Sequence, residues 1–253
     1  MAVGIVRSLS DATHTTERLW RPLLVTAELT TPLCDDPPHL DALLESAMMV
    51  KMPSVLASRN GHRHATPLVP QRGDTLEVGK IPIPLGRRKI GGWWVPLCSS
   101  PILSKVEAEW TDHINRKFPS EYGFLLREKE RTKISVADGE FRSYHLPRRA
   151  RLVQQVRWFA CGKAKEMRQL LRSIVAIGHE TNIGYGRVAK WEVEHIEEDL
   201  TWFADSPEGK VLMRPLPACE ALPANLIGAR KSFGACVSPY WLPSRFTEVM
   251  LPC

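Results

Sequence analysis

VQQVRWFACGKAKEMRQLLRSIVAIGHETNIGYGRVAKWEVEHI, residues 153–196, contains the clearest periodic pattern of the 253-residue chain. Residues 153–161 are mostly apolar and predict a buried strand, which Gly162 ends. Apolar residues then recur at helical spacing over 163–177, and residues 188–193 alternate as in a half-buried strand. Strand, helix, glycine-rich loop and strand in this order indicate one half of a split βαβ unit.

Further elements are predicted on both sides of this segment. Residues 20–30 read as a strand, and HLDALLESAMMVKM (39–52) as an amphipathic helix that Pro53 ends. Val106, Trp110 and Ile114 have a spacing that suits a short helix. The pattern also predicts short strands at 93–98 and 209–214, a hairpin over 132–151 that turns at Asp138-Gly139, and a mostly irregular proline-rich tail after residue 200.

The composition excludes several classes of protein. The chain contains no apolar run of about 18 residues, and its first residues lack the apolar centre of a signal peptide, so we expect a cytoplasmic protein without membrane spans. The six cysteines include no C-x-x-C pair, so we predict reduced cysteines, several of them in the core. No spacing supports a metal site or a cofactor.

The positive charge is concentrated in one segment. Residues 127–172 contain 13 Lys or Arg and five Asp or Glu, a local charge of +8, whereas the whole chain carries +6. The remainder therefore sums to −2. A basic excess confined to one segment indicates a phosphate-binding surface, because solvated charged faces usually mix both signs.

Three glycines between the predicted helix and the last strand suggest a close backbone approach. Gly178, Gly184 and Gly186 would expose N–H groups to an anion. An equally good interpretation is structural, with a helix cap at Gly178 and an ordinary turn at the other two positions. The dinucleotide-binding fingerprint is excluded, because its glycines lie between a strand and the start of a helix.

AIGHETNIGYGRVAKWEVE (176–194) resembles the glycine-rich loop of the RAMP superfamily, the RNA-binding proteins of CRISPR–Cas complexes. VRWFACGKAKEMRQLL (156–171) resembles the third strand and second helix of that family. PPHLDALLESAM (37–48) resembles its first helix. Within the superfamily the chain is most similar to the "Cas five" type subunit of type IV systems.

The resemblance implies a fold and a task. The fold would be α+β, a ferredoxin-like (RRM-like) βαββαβ core over residues 1–199, with a basic thumb inserted at about 100–151. Residues 200–253 would form a proline-rich extension packed on that core. The task would be non-catalytic, namely to hold the 5′ handle of the CRISPR RNA and cap the complex. The expected partners are that RNA, RAMP-type backbone subunits and a large-subunit-like protein, with target DNA near the protospacer-adjacent motif as a further candidate.

Within this interpretation, arginines would bind phosphate, thumb aromatics would stack on unpaired bases and the loop would contact base or ribose edges. Tyr185 also suits a loop anchor, and Arg187 either binds phosphate or points to solvent. The candidate RNA-binding residues are Arg148, Arg149, Arg151, Arg157, Tyr144, Phe141, Gly178, Asn182, Gly184, Tyr185, Gly186 and Arg187.

The main alternative is the related "Cas six" type endoribonuclease, which cuts precursor CRISPR RNA. Metal-free cleavage needs groups that move protons, and His39 or His179 could serve. We favour a helix cap for His39 and an exposed loop position for His179. A nucleic-acid-binding regulator would be expected to show a helix-turn-helix pattern, which the sequence lacks. A metabolic enzyme on the same fold stays open, but the glutamates at 192–198 suit a solvated edge better than a metal site.

Overall fold

The protein is mostly β. The computed structural model describes residues 20–51, 81–117 and 142–252, and strands take up 48% of them against 14% for helices. The strands are β1 (Arg21–Leu29), β2 (Leu33–Cys34), β3 (Arg87–Ile90), β4 (Trp93–Pro96), β5 (Ile102–Leu103), β6 (Val106–Arg116), β7 (Tyr144–Val153), β8 (Gln155–Gly162), β9 (Val188–His195), β10 (Phe203–Ser206), β11 (Gly209–Leu212), β12 (Leu216–Pro217), β13 (Leu226–Ile227), β14 (Arg230–Ala235) and β15 (Phe246–Leu251). The α-helices are α1 (Leu40–Lys51) and α2 (Ala164–Leu171), and short 3-10 helices lie at Thr181–Ile183 and Pro243–Arg245.

The predicted α+β class with a ferredoxin-like βαββαβ core is therefore wrong. The described ranges contain two α-helices and five small sheets. Two regions account for most of the difference. Residues 106–116 form a long strand where a helix was predicted, and the tail, for which only one strand at 209–214 was predicted, contributes six strands.

The largest sheet has four strands in the order β5-β8-β1-β9, and all its pairs are antiparallel. The predicted strands at 20–30, 153–161 and 188–193 are confirmed as β1, β8 and β9. In β1, Leu23, Val25 and Ala27 are fully buried, because alternate residues of a strand point to the same face. Val25 is paired with Trp158 on one side and Val193 on the other, which fixes the register.

Both helices belong to the core that covers this face. The predicted helix at 39–52 is confirmed as α1, and its Leu40 and Leu44 are fully buried. The second helix is shorter than predicted, since α2 ends at Leu171 and two turn bonds follow it. Residues 175–177 then run alongside 186–188, where Ala176 and Arg187 form an isolated bridge.

A long two-stranded ribbon, formed by β6 and β7, extends the second sheet, in which β2 pairs with the other side of β7. Ribbon pairs run from Val106 opposite Val153 to Arg116 opposite Tyr144. The predicted helix through Val106, Trp110 and Ile114 is wrong, because these residues lie on β6. The first arm and the turn of the hairpin predicted at 132–151 lie outside the described residues, and only its return strand, β7, is described.

The C-terminal region builds a second core together with the β3–β4 hairpin. Its sheets have the orders β10-β11-β13 and β12-β15-β14. This core takes residues from both sides of position 199. The predicted division of the chain near that position stays a prediction. The second core consists of Ile90, Val95, Leu97, Cys161, Trp202, Leu212, Leu216, Cys236, Val237 and Val249.

A buried polar network lies between the two cores. Arg214 is fully buried and donates to the carbonyl oxygens of Pro96 and Cys98, both at 3.0 Å. Its other terminal nitrogen donates to the Tyr240 hydroxyl at 3.0 Å, and that hydroxyl donates to Asp41 of α1 at 2.8 Å. Asp41 is itself fully buried, and the positive charge of Arg214 compensates its negative charge through the intervening Tyr240 hydroxyl.

The cysteines in the described ranges are free thiols, and four of the five are buried, as predicted. Burial raises the pKa of Cys98 to about 12, so its thiol stays protonated. Among helices in the same ranges, none is long and apolar enough to span a membrane.

Candidate nucleic-acid interface

The predicted glycine loop and the arginines of β7 are brought together by residues 30–36. On one side, Gly186 donates to the carbonyl of Pro32 at 2.8 Å and His179 to that of Cys34 at 3.2 Å. On the other side, β2 pairs with β7. We call residues 144–151 of β7 and residues 178–187 together the ribbon–loop surface. Arg148 and Glu180, 3.7 Å apart, join its two halves directly.

The structure gives each glycine of the loop a different role. Gly186 has a φ of +63°, and a Cβ there would lie 1.8 Å from the carbonyl oxygen of Ile177. At Gly178, with φ +88°, a Cβ would lie 2.9 Å from a methyl carbon of Leu33 and 3.1 Å from the carbonyl oxygen of Cys34. Both positions therefore require glycine for packing. Since α2 ends at Leu171, Gly178 is not the helix cap that one interpretation predicted.

The tip of the loop is the part available to a ligand. Gly184 has a φ of +107°, and a Cβ added there would meet no atom within 4 Å, so open space lies beside its Cα, while its N–H donates to the carbonyl of Thr181. Asn182 and Ile183 in the preceding 3-10 helix are exposed. These residues are accessible, as the predicted contacts to RNA require. Their role in binding remains a prediction.

Tyr185 anchors the loop to the ribbon. Its hydroxyl donates to the carboxylate of Asp112 on β6. This hydrogen bond lowers the pKa of Asp112 and raises the pKa of Tyr185 to about 12. The anchor interpretation of Tyr185 is thus confirmed by a contact to a strand that the sequence did not predict.

The three ribbon arginines predicted to bind phosphate all have carboxylate partners. Arg148 donates to Asp35 at 3.0 Å, and Arg149 makes a two-pronged contact with Glu109 at 2.8 and 2.9 Å. Arg151 donates to Asp36 at 2.7 Å, with a side chain that is only 7% exposed. Arg149, at 56%, is the most accessible of the three. Ion pairing at the base of the ribbon therefore cancels most of the charge expected there.

The remaining predicted arginines lie apart from these three. Arg157 is on β8 of the four-stranded sheet, opposite Thr26, and its guanidinium donates to Gln155. Arg187 is exposed at the end of the loop and forms no ion pair with a described residue, while its backbone N–H donates to Thr31. Within the described residues, the basic segment identified in the sequence is consequently spread over the ribbon, the large sheet and α2.

The opposite end of the ribbon has a different charge balance. Lys117 follows β6 and Arg142 precedes β7, both are exposed, and neither forms an ion pair with a described residue. Tyr144, the first residue of β7, is half-buried. Lys117 and Arg142 were not predicted as site residues, although both lie within the predicted thumb at about 100–151. Phe141 lies outside the described residues.

The histidines of the nuclease alternative are poorly placed for RNA cleavage. His39 precedes α1, where its carbonyl accepts a hydrogen bond from Leu43, and its ring is stacked on Tyr240 at 4.6 Å. Burial and the nearby Arg214 lower the pKa of His39 to about 4. His179 is an exposed loop residue, as the sequence favoured. The described ranges contain no cluster of three or more residues suited to hold a metal ion.

Comparison with known proteins assigns the chain to a family. Residues 101–252, more than half of the chain, match the model of the family described as CRISPR type IV associated protein Csf3. A search of curated proteins found no match. The match contains the ribbon, the glycine loop and the C-terminal sheets, and it confirms the resemblance to type IV CRISPR proteins. The chain thus belongs to the Csf3 family and is a type IV CRISPR-associated subunit.

Proposed function

We propose that this subunit binds the 5′ handle of the CRISPR RNA in the cytosol and caps the ribonucleoprotein complex without cutting RNA. In this role the ribbon and the tip of the glycine loop form one RNA-binding face. Backbone subunits of the RAMP type and a large-subunit-like protein would be its neighbours, and target DNA would come close to it. Membership of a type IV CRISPR family makes RNA the leading candidate ligand.

The uneven distribution of charge along the ribbon is the observation that carries this proposal. Its base is electrically compensated, because Arg148, Arg149 and Arg151 all pair with carboxylates. Its far end carries Lys117 and Arg142 without such partners among the described residues. Phosphate neutralisation by unpaired cations provides most of the affinity for nucleic acid, so RNA would bind first at that end.

Two neighbouring features can extend the contact toward the loop. Tyr144 begins β7 close to Arg142 and offers an aromatic ring for a base, a contact worth ~1–3 kcal/mol. Arg187 and the open space beside Gly184 then lie on the loop that is anchored to the ribbon through Tyr185. Arg149 can join them by exchanging Glu109 for a phosphate, since both side chains are about half exposed.

The first test is the salt dependence of RNA binding. In Lys117→Ala with Arg142→Ala, two phosphate contacts are lost, and the slope of log affinity against log salt should become shallower by about 1.4, from about 0.7 per contact on a single strand. The measurement is fluorescence anisotropy with a labelled single-stranded RNA that carries the repeat-derived 5′ handle, over a series of salt concentrations.

The control removes the same charge elsewhere. Arg172→Ala with Arg230→Ala affects exposed arginines on α2's end and on β14, outside the ribbon–loop surface. This pair should leave the slope nearly as it is in the unmodified protein. Equal slopes for the ribbon variant and the unmodified protein would refute the proposal.

A further inference from the structure

The β3–β4 hairpin is a rigid element outside the ribbon–loop surface. Its two-residue turn, Gly91-Gly92, has φ values of +54° and +84°, as tight hairpin turns require. A Cβ on Gly91 would lie 2.9 Å from Pro217, so the turn is seated against the C-terminal region. The position of the hairpin is therefore set by its tight turn and by its contact with the C-terminal region.

The two faces of this hairpin have opposite character. Ile90 and Val95 are buried in the second core, and Arg88 on the same face lies 5.6 Å from the centre of the Trp202 ring. The other face is accessible. It carries Trp94 directly opposite Lys89, and Arg87 opposite Pro96.

Trp94 is notable because its side chain is 61% exposed despite its size. An exposed indole next to cations cannot be explained by packing, since the core of this hairpin lies on its other face. Lys89 is exposed as well, and cross-strand partners have Cβ atoms close enough for their side chains to act on one ligand. Arg87 lies two pairs further along, on the same face, and its guanidinium is 3.4 Å from the Glu45 carboxylate on α1.

This face forms one wall of an open cavity of about 650 Å³. Trp94 and Arg87 line it from this face of the hairpin and Trp93 from the opposite face, while Glu45 of α1 and Ser238 and Arg245 of the C-terminal region complete the lining. Lys89 lies beside Trp94, outside the lining, at the margin of the cavity. The cavity thus combines a flat aromatic surface, positive side chains, and a carboxylate and a hydroxyl that can accept hydrogen bonds. An aromatic platform beside cations fits a nucleobase with its attached phosphate.

We infer that the cavity beside Trp94 binds one unpaired nucleotide of an RNA strand, with the base stacked on Trp94 and its phosphate held by Lys89 and Arg87. The site goes beyond the proposed function, because it lies on other elements, and it rests on that function only for the identity of the strand as CRISPR RNA. It would give the subunit a second, separate contact with the same RNA.

Fluorine NMR of the Trp94 indole tests this inference. Protein labelled with 5-fluorotryptophan is titrated with a short single-stranded oligoadenylate, and the Trp94 signal in the fluorine NMR spectrum is assigned by its loss in Trp94→Phe. We expect that signal to shift on addition of RNA, while the signal of Trp241, 63% exposed but outside the cavity, stays in place. A Trp94 signal that does not move, or that moves no more than that of Trp241, would overturn the inference.

Affinities separate this inference from the proposed function. Trp94→Ala should weaken binding of the labelled handle RNA by about 5- to 150-fold with little change of salt slope, because it removes stacking and no charge, whereas Trp241→Ala should not. The loss should persist in the Lys117→Ala, Arg142→Ala background. Unchanged RNA affinity in Trp94→Ala, together with poorer incorporation into the complex, would identify a protein partner and reject the nucleotide site while leaving the ribbon proposal intact.

Discussion

At the scale of single residues, the burial of His39 makes the stability of the protein depend on pH. Because the pKa of His39 is lowered to about 4 in the folded protein, the unfolded chain binds the extra proton as the pH falls below about 6.5. Stability is therefore lost on acidification. We expect His39 to account for a decrease of about 2 kcal/mol in the free energy of unfolding between about pH 7 and about pH 5.

Urea unfolding at the two pH values measures this contribution. His39→Phe keeps a ring that can stack on Tyr240 but cannot take up a proton, so it should lose less stability on acidification than the unmodified protein. His179→Phe, at an exposed loop position, should lose as much as the unmodified protein does. The same loss in His39→Phe as in the unmodified protein would show that His39 does not carry the effect.

Single residues also show how much of the candidate site could be predicted from the sequence. The spacing of Gly178, Gly184 and Gly186 identified a special backbone but could not say which glycine is constrained. The constraint on Gly186 comes from the carbonyl of Ile177, in a segment that the sequence assigned to a helix. The arginines present the same problem, because a run of residue types does not reveal that Asp35, Asp36 and Glu109 face them.

At the scale of elements, one hydrogen bond from Tyr185 to Asp112 connects the glycine loop with the ribbon. Tyr185→Phe removes that bond, so the loop should open more often. Backbone amides of the loop, including that of Gly186 bonded to Pro32, should then exchange hydrogen several-fold faster. Hydrogen exchange followed by mass spectrometry or NMR measures this change.

The pKa of Asp112 provides the second readout of this variant. The Tyr185 hydroxyl is the largest cause of its lowered pKa, so the pKa should rise toward its ordinary value in Tyr185→Phe. Tyr144→Phe, on the same ribbon, should change neither the loop exchange nor the titration of Asp112. If loop exchange stayed at its original rate in Tyr185→Phe, the backbone contacts to residues 30–36 and the Arg148–Glu180 ion pair would be enough to hold the loop.

The ribbon also explains why one element was assigned wrongly. Val106, Trp110 and Ile114 are four residues apart, a spacing compatible with a helix of 3.6 residues per turn and equally with every second residue of a strand. The partner strand β7 lies about 30 residues further along the chain, so no local signal reveals the pairing. Strands β8 and β9 were predictable, because β8 is a mostly apolar run that ends at Gly162 and β9 follows the glycine loop directly.

At the scale of the whole molecule, the error in fold class arose mainly from the tail. Its prolines predicted irregular structure, since proline lacks the N–H group that a sheet requires. Most of them lie outside strands, and Pro217 lies in β12, which is an edge strand of its sheet. The six short strands between these prolines are stabilised by the second core, which depends on contacts with residues 90–97.

The buried Arg214 network should make the two cores unfold together. Arg214→Met leaves Asp41 buried without its compensating charge, which should cost about 3–5 kcal/mol of unfolding free energy. Arg214→Met with Asp41→Leu removes both charges and should recover much of that loss, because no unpaired charge is then left in the core. Arg230→Met, at an exposed position on β14, should cost little.

Urea unfolding followed by tryptophan fluorescence shows whether the Arg214 network couples the two cores or stabilises only one of them. Each core contains a tryptophan, Trp158 in the first and Trp202 in the second. The unmodified protein should show one transition. In Arg214→Met the slope with urea should decrease or a second transition should appear, because the C-terminal sheets lose their link to α1. If Arg214→Met instead lowered the midpoint with an unchanged slope, and the Asp41→Leu change gave no recovery, the network would stabilise one core only and the two would be joined by their apolar contacts.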